Sequence, residues 1–140
     1  MQKLGLLLAI FSMVILSSCM NEVQKSWEHT LRVHDEVMLL MQENGEVEKK
    51  LDVLIKRGLA SENSVLYTKV DTLQEALNML SATDEDMMDW MATIQQPSKD
   101  QDIKVSLSYL KEREEAISKV GDAMIQAAQH AESVIKSLEK

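Results

Sequence analysis

The chain has 140 residues and a net charge of −8 from 15 basic and 23 acidic side chains, enough for one domain with a modest core. So acidic a chain is repelled by phosphate backbones and anionic headgroups, which argues against nucleic acid as a partner and against surface charge as a membrane anchor. Its single cysteine allows no disulfide within a monomer, so packing alone must hold the fold.

Residues 1–18 read as a leader. Lys3 gives a short positive start, and residues 4–16 are apolar apart from Gly5 and Ser12. That run is too short to span a bilayer as a helix, which takes about 20 residues, and has the length of a secretory signal core. Small residues Ser17 and Ser18 follow, then Cys19. Leu16-Ser17-Ser18-Cys19 resembles the lipobox of bacterial lipoproteins. The resemblance implies a diacylglyceryl group on the Cys19 sulfur, cleavage between Ser18 and Cys19, and acylation of the new amino terminus. A thiolate is the strongest nucleophile among these side chains, which suits it to receive the lipid. Removal of Lys3 with the leader would take the net charge from −8 to −9. Residues 19–22 then form a short lipid-anchored linker, and residues 23–140 the folded domain.

Beyond the leader only Gly45, Gly58, Gly121 and Pro97 punctuate the chain. Arg57-Gly58-Leu59 followed by Ser61-Glu62-Asn63-Ser64 predicts a glycine C-cap and then a polar N-cap. The second break is residues 95–102 around Pro97, where Ser98-x-x-Gln101 has capping-box spacing. Between the breaks apolar residues recur at steps of three and four. The predicted helices span about 22–57, 63–95 and 103–138, with rows that include Leu31, Met38 and Leu51, then Leu73, Leu80 and Met87, then Leu110, Ile117 and Met124. Helices of this length run roughly 50 Å, and the short connections force neighbours to be antiparallel. The expected fold is all-α: an antiparallel up-down-up three-helix bundle with long helices, preceded by a lipoprotein signal peptide. Gly45 and Ser81-Ala82-Thr83-Asp84 are the weak points, the places for a helix to kink or restart.

Three positions in these rows are polar: His34, Asp84 and Glu114. Folding the helices back at the two breaks puts all three near one height. They form an expected polar core layer that sets register. The alternative is a divalent-metal site on His34 nitrogen and the Asp84 and Glu114 oxygens, although the paired Glu-x-x-His ligands of bundle metal sites do not occur. Methionine is abundant, with ten in the chain and a dense Met87-Met88-Asp89-Trp90-Met91. Thioethers near Trp27, His29 and His34 raise copper(I) as a second ligand, against ordinary core filling in a chain poor in aromatics. Trp27, Trp90 and Met91 are expected to close the end nearest the lipid, the two rings packing on each other or on Met91. Val33, Val37 and Leu40 lie beside the first row and are read as an exposed apolar strip for contact or self-association.

His34-Asp35-Glu36-Val37-Met38, Met87-Met88-Asp89-Trp90-Met91 and Tyr109-Leu110-Lys111-Glu112 resemble the recurring motifs of a family of small helical lipoproteins of Gram-negative bacteria, some members of which are automatically named "viral A-type inclusion protein". The family implies a lipidated helical protein and brings no activity with it. Where it has a proline after the first motif, this chain has Leu39. His34, Asp35, Glu36, Met87, Trp90 and Met91 are the motif residues to place.

No glycine-rich phosphate loop, Gly-x-Ser-x-Gly or zincin histidine pair occurs, so catalysis is not expected and no cofactor is implied. The expected role is a non-enzymatic interaction or structural module, tethered to a membrane through Cys19, with an envelope protein or a second copy as partner. Met20 after the cysteine, rather than aspartate, points by enterobacterial analogy to the outer membrane, and the periplasmic face is favoured. The alternative role is metal or small-ligand binding by the His34 layer or the methionine cluster.

Overall fold

The computed structural model describes residues 2–61 and 65–138, with side chains from residue 22 onward. The cleavage and lipidation residues Ser18 and Cys19 therefore lie outside the described side chains. The described chain is helical without strands: α1 is Gln2–Leu59, a 3-10 turn covers Tyr67–Lys69, α2 is Val70–Thr93 and α3 is Ile103–Ser137. All three helices pack together. Among the described residues no helix is long and apolar enough to cross a membrane.

Helix periodicity explains the core. On α1 the buried residues Thr30, Val37, Asn44, Leu51 and Gly58 recur every seven residues, with Val47 and Ile55 between them. Buried positions on α2 alternate steps of three and four through Leu73, Ala76, Leu80, Thr83, Met87 and Trp90. On α3 they run through Leu110, Ile117, Met124 and Ala131, flanked by Ser106, Gly121, Ala127 and Val134. This is the spacing that keeps a stripe facing neighbouring helices. The buried residues form two clusters. One gathers Leu51, Ile55, Leu73, Leu80, Ala131 and Val134; the other gathers Val37, Met87, Trp90, Ile117 and Met124. Asn44 and Thr83 fall between them in sequence on their helices and are the polar residues of that stretch. Asn44 Nδ2 donates to the Met124 carbonyl oxygen at 3.3 Å, and Thr83 Oγ1 donates to the Leu80 carbonyl oxygen at 2.7 Å.

Several sequence expectations need correction. Val33, Val37 and Leu40 are not an exposed strip: Val37 is 5% exposed, and Val33 and Leu40 pack against its cluster. The exposed apolar residues there are Met38 and Leu39. Because α1 meets two helices, it buries a wider arc than one seam, with Val37 toward Gly121 on α3 and His34 toward Trp90 on α2. Helix α2 starts at Val70 rather than near residue 63. Before it the chain makes tight turns, with Lys69 N–H donating to the Leu66 carbonyl oxygen and Thr68 Oγ1 to that of Val65.

Gly58 is not a left-handed cap, since no described residue has positive φ. It is a helical residue against which the returning chain packs: a Cβ there would meet Val70 Cγ2 at 2.6 Å and the Leu66 carbonyl oxygen at 3.2 Å. The cap of α3 is Asp102 rather than Ser98. Its carboxylate accepts from the backbone N–H groups of Lys104 and Val105, two of the donors a helix start leaves unpaired. Neither Gly45 nor residues 81–84 interrupt their helices.

Candidate functional site

The polar and aromatic side chains singled out by sequence concentrate at the end of the bundle built by residues 23–41 of α1, the end of α2 and the first half of α3. His34 stacks on Trp90 with ring centroids 5.5 Å apart and an interplanar angle of 21°. The Trp90 indole N–H donates to the Arg113 carbonyl oxygen at 2.9 Å, so one ring ties α2 to both partners. His34 Nδ1 also sits 3.0 Å from Asp35 Oδ1. One helical turn away, Arg32 Nη2 donates to His29 Nδ1 at 3.1 Å, and His29 Nε2 lies 3.2 Å from Glu114 Oε1. A guanidinium can only donate, so His29 Nδ1 accepts and Nε2 carries the proton it gives to Glu114. Arg113 lies with its guanidinium carbon 5.8 Å from the Tyr109 ring centroid and donates to Glu112, while its Nε is buried without a hydrogen bond among the described residues.

The structure does not bring His34, Asp84 and Glu114 into one layer. His34 goes to Trp90 and Asp35, Glu114 goes to His29, and Asp84 lies near Glu48. Trp90, the α2 residue that meets His34, is six positions and about 9 Å along the helix from Asp84, so Asp84 misses the height of His34 as well as facing another neighbour. Asp84 Oδ1 is buried and accepts no hydrogen bond among the described residues. Burial raises the Asp84 pKa above the ordinary aspartate value, and the nearby Glu48 charge adds to the rise. Glu48 itself accepts from Ser81 Oγ at 3.0 Å. Among the described residues no group of three histidine, cysteine or acidic side chains is placed to hold a metal ion.

The two motifs split around their helices. Met87 and Trp90 are buried and Met91 packs beside them, whereas Met88 and Asp89 face outward. His34 and Val37 turn inward, and Asp35, Glu36 and Met38 outward. Met87 and Met124 are fully buried in one apolar cluster with Met41 and Met91 packed against it, while Met38, Met79 and Met88 are exposed. Trp90 takes His34 as its stacking partner, and Trp27 stands apart from it.

Trp27 instead lines a cleft of about 340 Å³ at the tip of this end. Its walls come from Val23, Gln24 and Trp27 on α1, residues 96–99 and 101 of the α2–α3 connection, and Ile103 and Ser106 on α3. The connection is held by Tyr109, whose hydroxyl oxygen accepts from the Gln95 N–H at 2.9 Å and reaches the Thr93 carbonyl oxygen at 3.5 Å. Gln96 Nε2 spans to Gln24 Oε1 on α1 at 3.4 Å. Sequence reasoning missed this cleft; Pro97 marked the break, but helical spacing does not report where a connection folds back. No protein-family model matches this chain, and no match is found among curated proteins or solved structures.

Proposed function

We propose that this chain is a lipid-anchored lipoprotein of a Gram-negative cell envelope, acting through its surface as a non-enzymatic interaction or structural module. The observation that carries the reading is the leader itself: a short apolar run ending in Leu16-Ser17-Ser18-Cys19. A surface role is supported by the use the chain makes of its polar side chains, since His29, His34, Glu114 and Trp90 are spent on contacts within and between helices. The domain is an up-down-up bundle in this reading. Support comes from the pairs Gln24–Gln96, Glu48–Ser81 and Gly58–Val70, in which α2 descends as α1 rises. Trp90–Arg113 and Gln95–Tyr109 do the same for α2 and α3, and His29–Glu114, Val37–Gly121 and Asn44–Met124 rise together on α1 and α3. The anchor holds one end of the bundle at a bilayer, the outer membrane at its periplasmic face, and raises the local concentration of the module for an envelope protein or a second copy.

Fractionation of cells carrying the full chain tests the address. The protein is expected with membranes, and intact-mass measurement should find a mature amino terminus at Cys19 bearing acyl chains. Cys19→Ser should lose the lipid mass and leave the membrane fraction or stay uncleaved. A wild-type protein that is aqueous, or that begins upstream of Cys19, overturns the proposal.

A further inference from the structure

The cleft beside Trp27 is walled by hydrocarbon that neither cluster uses. Val23, Trp27 and Ile103 are half-buried yet belong to neither of the two cores, and Pro97 adds its ring to the lining. A core fills itself with its apolar residues, so three that stand outside it around one cavity leave a wettable apolar wall. Most of the polar side chains around that wall are already engaged. Ser106 is 1% exposed and its hydroxyl donates to the Asp102 carbonyl oxygen at 3.0 Å. Gln24 gives its amide N–H to Glu28 and accepts from Gln96. Asp102 holds the first N–H groups of α3, and Ser98 Oγ accepts from the Asp100 N–H.

Among the described lining residues the Gln101 amide and the exposed Lys99 make no side-chain hydrogen bond, and Lys99 is the one cation of the lining. A cavity of about 340 Å³ lies at the lower end of the small-molecule range, roughly 300–1,000 Å³, with the apolar body and few polar groups that such sites have.

The geometry points to a binding site here for a single-chain amphiphile with a carboxylate head. The hydrocarbon lies against Val23, Trp27, Pro97 and Ile103, and the carboxylate pairs with Lys99. One chain fits a space of this size. A head with a single negative charge is met by the one cation of the lining, whereas a second charge would find no further cation there. The contact Lys99 makes is charge-assisted and draws on no side chain needed by the fold.

Photolabelling of the full chain in isolated membranes tests this with a diazirine-bearing undecanoate. Labels should fall on the tryptic peptides containing Val23, Trp27, Ile103 and Ser106 and should saturate. Unlabelled undecanoate should compete, and undecyltrimethylammonium should not. Lys99→Gln, a change at an exposed position, should weaken the apparent affinity by about tenfold, the loss of one charged contact, while an undecanol probe labels both proteins equally. Labels scattered along all three helices overturn the site. Equal competition by the cationic amphiphile, or an unchanged affinity in Lys99→Gln, overturns the carboxylate. Labelling of the same peptides by a diazirine-bearing phospholipid, undisplaced by undecanoate, assigns the cleft to bilayer chains and overturns the free amphiphile.

Discussion

Asn44 on α1 donates to the carbonyl oxygen of Met124 on α3, a contact between residues eighty positions apart. Asn44 is 4% exposed and lies on the seven-residue row of Thr30, Val37, Leu51 and Gly58, where Thr30 gives its hydroxyl to its own helix and the others are apolar or glycine. A single buried amide in such a row fixes which turn of one helix faces which turn of another, at some cost in stability. Asn44→Ala should lose about 1–3 kcal/mol in urea unfolding, through the lost bond and the space left behind. Asn44→Leu should hold its unfolding midpoint but give broader, more numerous amide resonances, because alternative registers are no longer penalised.

Gly121 lets α1 and α3 close up. A Cβ at this position would meet Val37 Cγ2 at 2.9 Å, and valine is stiff at χ1, so the neighbour cannot swing aside. Alanine gains about 1 kcal/mol of helix propensity over glycine, against roughly 1–3 kcal/mol for overpacking a filled core. Gly121→Ala should therefore be neutral to destabilising, and adding Val37→Ala should make the same glycine replacement favourable. A double-mutant cycle by chemical denaturation reads the coupling; additive effects at the two sites would contradict the contact.

Asp84 predicts a pH dependence. Burial first, and Glu48 second, raise its folded pKa above the unfolded value. A raised carboxyl pKa means that the folded state holds the proton more tightly, so stability falls as pH climbs from the unfolded to the folded pKa and stays lowered above it. Acidification through that window should recover the lost stability from this group. Asp84→Asn should raise the thermal midpoint at neutral pH and flatten the curve across the window. A variant that melts earlier than wild type at neutral pH would refute the assignment.

Trp90 joins three helices through one ring, stacking on His34 and donating to the Arg113 carbonyl oxygen. Trp90→Phe keeps a ring for the stack and removes the donor, and should cost about 1 kcal/mol plus the smaller lost area. Trp90→Ala removes the whole buried side chain and should cost about 3–5 kcal/mol. Equal losses in the two variants, measured by urea unfolding, would mean that the ring itself contributes little.

The helices and much of the core were legible because Leu73, Leu80, Met87, Leu110, Ile117 and Met124 sit in apolar rows and are all fully buried. The polar half of the core was not. Thr30, Asn44, Thr83 and Ser106 are buried, and a search for apolar periodicity passes over them. The heptad Thr30, Val37, Asn44, Leu51, Gly58 was the available signal. His34, Asp84 and Glu114 were placed by counting residues from the two breaks; the count put Asp84 more than a turn from its actual height, and height alone leaves open which neighbour each residue faces around its helix axis. The turn after α1 was misread for a related reason. Gly58 looked like a conformational device, whereas its missing side chain makes room for Val70 and the Leu66 carbonyl. The cleft depends on how residues 95–102 fold back over Trp27, and a connection carries no periodicity to read.

Both tryptophans lie on one side of the molecule: Trp90 belongs to the cluster of Val37, Ile117 and Met124, Trp27 lines the cleft beyond it, and the cluster of Leu51, Leu80 and Val134 has none. Intrinsic fluorescence is thus a witness to half of the bundle, while the far-ultraviolet dichroic signal sums over all of it. If the two halves melt in step, the two optical curves will superimpose; if the far half frays first, ellipticity will begin to drop while the emission maximum has not yet moved.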